Sequence, residues 1–338
     1  MRPTLAAILL TTTAAHAEGE LNIYNWGNYT SPELIEKFEA ETGIEVTLTD
    51  YDSNDTALAK IEAGGHGFDI VVPTHSYLPI FVEKGLLMEP GIPEMENYAN
   101  IAERWRDVEW DPERRFSVPW QWGSTGVAVN TSVYDGDPHT SAIWLDPPEA
   151  LQGRVNVVPE MQDVISLALL YVGAEPCSTD REALRAARDA LVAAKEHWMS
   201  MDYGMTERLS NADVMASVNW NGSTFRARNN NADVVYGYPQ EGYLLWMDNA
   251  AILADAQNVE EARTFLNFIM EPENAAMISD FARYANGIEG SDAFMPEDML
   301  SAPEIVPPEE LADAGVFTEV CSAEAQEMYS AIWTDLQR

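Results

Sequence analysis

The chain is short of bases, cysteines and long apolar runs, and each shortage removes a class of function. Lys and Arg number 19 against 56 Asp and Glu in 338 residues, a formal net charge of −37. Such an acid excess repels phosphate backbones, which excludes nucleic acid as a partner. It also repels anionic membrane surfaces and draws in cations. Plain solubility asks for acids too, so bulk charge alone supports a cationic ligand only weakly. Beyond the N-terminal segment no run approaches the roughly eighteen apolar residues of a membrane-spanning helix. His66, His75, His139 and His197 lack metal-ligand spacing. No nucleophile elbow, phosphate loop or dinucleotide fingerprint occurs. No enzyme activity, catalytic residue, metal or cofactor is therefore expected.

The first 17 residues differ from the rest. Arg2 precedes the apolar stretch Leu5 to Leu10, and small residues then lead to Ala15-His16-Ala17. This is a short apolar region with an A-x-A site, so residues 1–17 are expected to be a secretory signal cut before Glu18. No cysteine follows the cleavage point, which argues against a lipid anchor. A soluble product outside the cytoplasm is expected. In that oxidising setting Cys177 and Cys321 are expected to form one bridge, with two buried thiols as the alternative.

The remaining length suffices for two domains with separate cores. Leu21 to Trp26 reads as a strand. Ser31 and Pro32 then open a helix with Leu34, Ile35 and Phe38 on its buried face, and Gly43 stops it. Ile44, Val46 and Leu48 alternate with polar residues, as on a half-exposed strand. A helix from about Asp55 to Ala63 follows, then the apolar strand Phe68 to Pro73 and a helix ending at Gly85. This βαβαβ order predicts an α/β fold with a parallel sheet flanked by helices. Ser117 to Gly123 and Gly126 to Asn130 read as paired strands leaving the first lobe. A second α/β unit follows, with a helix opened by Pro159 and another capped by Thr179 and Glu182. Asn258 and Glu261 are expected to cap a later helix.

Candidate chemistry gathers at strand ends, where parallel α/β sheets hold their ligands. Trp246 and Asp248, two apart in the apolar run Tyr243 to Leu253, project from one face of a strand. A carboxylate in such a run is costly unless a positive group or several donors meet it. Beside an indole it suits an organic cation. Trp26 and Tyr29 stand after the first strand, Thr74, Ser76 and Tyr77 after the third, and Trp220 after a later one. Glu160 and Asp163 share the first turn of a helix, where acids usually complement the helix dipole.

The runs Tyr24-Asn25-Trp26-Gly27-Asn28-Tyr29, Asp69 to Pro73, Ser117 to Gly123, Trp220-Asn221-Gly222-Ser223 and Trp246-Met247-Asp248 occur in this order. Together they resemble the periplasmic spermidine/putrescine-binding proteins of ABC transporters, from about residue 20 to the C-terminus. The resemblance implies a two-lobed, hinged, class II periplasmic binding fold. Its first lobe would comprise 18–128 plus about 249–300, its second about 129–248 plus 301–338. It implies a monomeric periplasmic receptor that delivers a polyamine to permease subunits in the inner membrane. Trp26, Tyr29, Thr74, Ser76, Glu160, Asp163, Trp220, Trp246, Asp248 and Tyr284 would be its ligand-binding residues. Ser76 stands where relatives often place a large aromatic, and Tyr77 is the substitute. Ser223 stands where putrescine-selective relatives can carry an acid, which leans towards spermidine. Affinity should fade below roughly pH 5 as carboxylates protonate. A same-fold receptor for an amino acid, sugar or ferric iron remains an alternative, as does a secreted hydrolase with paired carboxylates.

Overall fold

The computed structural model describes residues 19–318 and 320–338, so the signal segment and its cleavage point lie outside the described residues. Ten strands form one continuous sheet: β1 (Gly19–Trp26), β2 (Ile44–Tyr51), β3 (Ile70–Val71), β4 (Ser117–Asn130), β5 (Val155–Val157), β6 (Trp198–Met201), β7 (Ala216–Trp220), β8 (Val234–Gly237), β9 (Tyr243–Ile252) and β10 (Gly315–Phe317). Their order is β2-β1-β3-β9-β4-β7-β5-β6, with β8 on β4 and β10 on β9. The expected βαβαβ start is present. β1 pairs in parallel with β2 and β3, and the connecting helices are Pro32–Thr42 and Asn54–Glu62. Ser31 Oγ accepts from the Leu34 N–H, and Gly43 takes the left-handed conformation (φ 74°) that ends the first helix.

Two large cores lie on this sheet, with three smaller clusters beside them. One gathers Leu21 through Trp120 together with Trp246 through Ile288; the other gathers Val127 through Leu244 with the C-terminal helix Ala323–Leu336. β4 and β9 contribute to both. Val118 and Trp120 pack in the first core and Val127 and Val129 in the second, while β9 gives Leu244 to the second and Met247 to the first. This is the two-lobed α/β fold that the sequence predicts.

The crossing strands correct one expectation. Ser117 to Asn130 is a single 14-residue strand rather than a pair. Its first half runs antiparallel to β9, and its second half lies between β7 and β8. Gly123, where the first of the two expected strands ends, is a point of close approach instead. It faces Trp246 across the ladder, and a Cβ there would lie 2.8 Å from the indole. The strand expected over Phe68 to Pro73 keeps only Ile70–Val71 in the ladder. Pro73 has no N–H to give, and Asp69 directs its carboxylate to the backbone N–H groups of Asn22, Gln257 and Asn258.

Three helix starts also differ. Asp180, not Thr179, accepts from the N–H groups of Glu182 and Ala183. Asn258 occupies the cap position but spends its amide on Asp69 (3.0 Å). Glu160 precedes the helix Met161–Tyr171 instead of sitting in its first turn, which frees its carboxylate for the cleft.

Cys177 and Cys321 are bridged across a sequence separation of 144. The bond joins the loop after Met161–Tyr171 to the approach to the last helix. Closing so long a loop restricts the unfolded chain, an effect worth about 2–5 kcal/mol. The double substitution C177S/C321S should lower the urea midpoint accordingly. A midpoint equal to that of the oxidised parent would contradict a stabilising role.

Candidate functional site

The two lobes meet over a cavity lined by thirteen residues, none of them Lys, Arg or His. All ten residues singled out in the sequence line it: Trp26, Tyr29, Thr74, Ser76, Glu160, Asp163, Trp220, Trp246, Asp248 and Tyr284. Asn54, Gln162 and Tyr203 complete the set.

The first lobe supplies its residues from strand ends. Trp26 closes β1, and its indole N–H donates to the Val72 carbonyl at 3.1 Å, which fixes the ring. Tyr51 and Tyr203 flank that ring, with centroids 4.7 and 6.4 Å away. Asn28, at φ 55°, turns the chain so that Tyr29 meets Tyr284 edge to face at 5.5 Å. Thr74 follows β3 and is held twice by Asn54, which accepts from its N–H (3.1 Å) and donates to its hydroxyl (2.9 Å). Alternation along β9 places Trp246 and Asp248 on the cavity face, as the strand period requires. Asn249 instead turns to the buried Arg114, whose guanidinium donates to its side-chain oxygen at 2.7 Å.

The second lobe brings Glu160, Asp163 and Trp220. Asp163 accepts from the Thr125 hydroxyl (2.7 Å) and the Trp220 indole N–H (3.1 Å). Glu160 accepts from the Asn54 backbone N–H at 3.2 Å, a bond that crosses between lobes. Tyr203 makes another, donating from its hydroxyl to the Gly27 carbonyl at 2.9 Å. The cleft is therefore closed in this structure. On the far rim Gly222 leaves space for Tyr284, since a Cβ there would lie 2.7 Å from the tyrosine ring.

Three carboxyl groups thus share a buried site whose lining holds no Lys, Arg or His. Burial pushes the Asp248 carboxyl up to about 7. The Tyr29 and Thr74 hydroxyls oppose that rise, although neither forms a well-aligned bond to Oδ1. Glu160 is held well above the usual carboxylate range by burial and then by Asp163 and Asp55. Asp163 is raised by burial, with its Thr125 and Trp220 bonds acting against the rise. Glu160 Oε1, Asp248 Oδ1, the Tyr29 hydroxyl and the Trp246 indole N–H are all buried without a hydrogen-bond partner. Orphaned polar groups of this kind are costly. A ligand carrying N–H donors and positive charge would satisfy the two carboxylates, and the indoles would cover its apolar part.

Sequence reasoning missed three of the lining residues. Asn54 follows the Ser53 cap and resembles a routine helix start. Gln162 lies between two acids that drew the attention. Tyr203 sits in irregular chain after β6, where no periodicity marks a face. Tyr77 does not substitute at the wall. Its hydroxyl donates to Asp55 at 3.0 Å, and it lies outside the lining set. The ring beside Trp26 and Trp220 is Tyr203.

A closed cleft between two α/β lobes, walled by acids and aromatics, defines a small-solute receptor. The chain belongs to the bacterial extracellular solute-binding protein family, whose model matches residues 33–307. It is 28% identical to the putrescine-binding periplasmic protein SpuD of Pseudomonas aeruginosa, over 99% of this chain and 96% of that one. It is 30% identical to the spermidine/putrescine-binding periplasmic protein of Salmonella typhimurium, over 93% and 88%. Among solved structures, the spermidine/putrescine ABC transporter substrate-binding protein PotD of Streptococcus pneumoniae superposes with a TM-score of 0.77 at 25% identity, covering 95% and 99%.

Proposed function

We propose that this chain is the periplasmic receptor of an ABC importer and captures a polyamine between its lobes. The carrying observation is the cavity itself: three carboxyl groups, six indole or phenol rings and no base. A polyamine is an apolar chain with ammonium groups, so its chemistry complements each part of that lining. Aromatic faces cover its methylenes and add about 0.5–2 kcal/mol per cation–π contact. Asp248 on the first lobe and Glu160 and Asp163 on the second meet its charges. Trp26, Tyr29, Thr74, Ser76, Trp220, Trp246 and Tyr284 shape the space between them.

Residues from both lobes touch one ligand, so binding favours the closed state, the form a membrane permease would recognise. In this reading the N-terminal segment exports the chain, and the lobes part about the crossing strands β4 and β9. The protein acts as a monomer without catalysis. A thermal-shift panel of spermidine, putrescine, cadaverine and agmatine tests the reading. Saturating polyamine at 100 times its Kd should stabilise the folded protein by about 2.7 kcal/mol. Stabilisation by a sugar, an amino acid or ferric iron, with none by any amine, would overturn it.

A further inference from the structure

A second chamber adjoins the inner cavity and shares Tyr29, Tyr203, Trp220 and Tyr284 with it. These four rings form a partition with different charged groups on its two faces. The inner side carries Glu160, Asp163 and Asp248 and no base. The outer side carries Arg226, its sole base, with Glu207 as its sole acid. The spaces differ as well: the free volume is about 40 Å³ inside against about 370 Å³ outside. A short ligand fills the inner space, whereas a longer one must pass the partition.

Arg226 is fixed where that longer ligand would emerge. It lies on the helix Asn221–Asn230, half-buried, and its guanidinium donates to the Ala282 carbonyl. The same group stands 5.9 Å from the Tyr284 ring centroid. Tyr284 is itself anchored to this helix, because its hydroxyl accepts from the Ser223 N–H at 3.2 Å. Glu207 is exposed, and among the described residues no ion pair joins it to Arg226. The Ser223 hydroxyl pairs with Thr206 at 3.0 Å and brings no charge. Arg226 therefore faces the chamber without a buried counter-ion.

We propose that Arg226 is a specificity-determining residue that limits ligand length, an inference that rests on the polyamine reading. A diammonium ligand stays on the acidic side of the partition. A third ammonium, carried past Tyr284, meets a fixed like charge in a partly desolvated chamber. Discrimination by a repulsive element is a general route to specificity, since it weakens the competitor without strengthening the preferred ligand. Ser223 then has the opposite meaning from the one its sequence position suggests. An acid there would offset Arg226, whereas serine leaves the repulsion in place and favours diamines.

Calorimetric titration of putrescine and spermidine into the wild type, R226Q and R226K tests this. The wild type should bind putrescine at least tenfold more tightly than spermidine. R226Q should tighten spermidine about tenfold while leaving putrescine within about twofold, and R226K should keep the parental preference. Raising salt should narrow the wild-type preference and leave that of R226Q unchanged. A spermidine preference in the wild type, or equal changes for both amines in R226Q, would overturn the proposal. Failure of the wild type to bind either amine would overturn the polyamine reading, and this inference with it.

Discussion

Asp248→Asn should weaken polyamine binding by tenfold or more and at the same time make the ligand-free protein more stable at pH 8. The two effects have one cause. Asp248 is nearly fully buried, one of its oxygens has no partner, and its carboxyl is pushed up to about 7. In an unfolded chain the same group ionises near 4. Between these values the folded protein holds the extra proton, so stability falls as pH rises from about 4 through 7. Above pH 7 the buried charge costs the empty receptor on the order of 4 kcal/mol. Asparagine keeps the shape and removes that cost. It also removes the charge that an ammonium group would meet.

Urea unfolding at pH 4.5 and 8 separates these effects. D248N should gain stability over the wild type at pH 8 and little at pH 4.5. Loss of stability at both values would mean that Asp248 is a structural acid satisfied within the fold. Unchanged polyamine affinity in D248N would remove it from the binding site.

Affinity itself should fall as pH drops below about 7, by up to tenfold per unit. An ammonium ligand binds the carboxylate form, and the free receptor holds Asp248 increasingly protonated below that point. Glu160, raised well above its usual range by burial and two neighbouring acids, adds to the trend. Binding at pH 6 should therefore release protons, visible as heats that differ between buffers of unlike ionisation enthalpy. Ordinary carboxylate values put this loss below roughly pH 5. The shift towards neutrality comes from burial, which no pattern of residue types reveals. An affinity that stays flat from pH 8 to 5.5 would contradict carboxylate recognition.

The legible parts of this protein were those set by local rules. Ser31, Pro32 and Gly43 punctuate the first helix by capping chemistry that acts over a few residues. The two-residue period of a strand puts Trp246 and Asp248 on one face, and the structure keeps them there. Pairing across long separations was less visible. β4 reads as two strands, one ending at Gly123 and the next beginning at Gly126, and only the side chains of Asn221 and Trp246, about a hundred residues away or more, explain the first glycine. Asn258 looks like a cap until Asp69 arrives from β3 to take its amide.

The cavity shows the same division. Its acids and tryptophans stand at strand and helix ends, and their types alone suggest a cation. Tyr203 belongs to irregular chain and enters the wall only because its hydroxyl reaches Gly27 on the other lobe. Asn54 becomes visible through its two bonds to Thr74 and its backbone bond to Glu160. Both residues carry contacts between elements distant in sequence, and the bonds from Tyr203 to Gly27 and from Asn54 to Glu160 cross between the lobes.

The central claim is that three carboxyl groups and their aromatic neighbours hold an organic polycation. Direct calorimetric titration of the purified chain with putrescine and spermidine at pH 8 tests it most directly. The predicted result is one-to-one binding with a micromolar or lower Kd, about −8 kcal/mol or better, together with its loss in D248N. Silence towards both amines, with saturable binding of a neutral sugar or an amino acid, would contradict it.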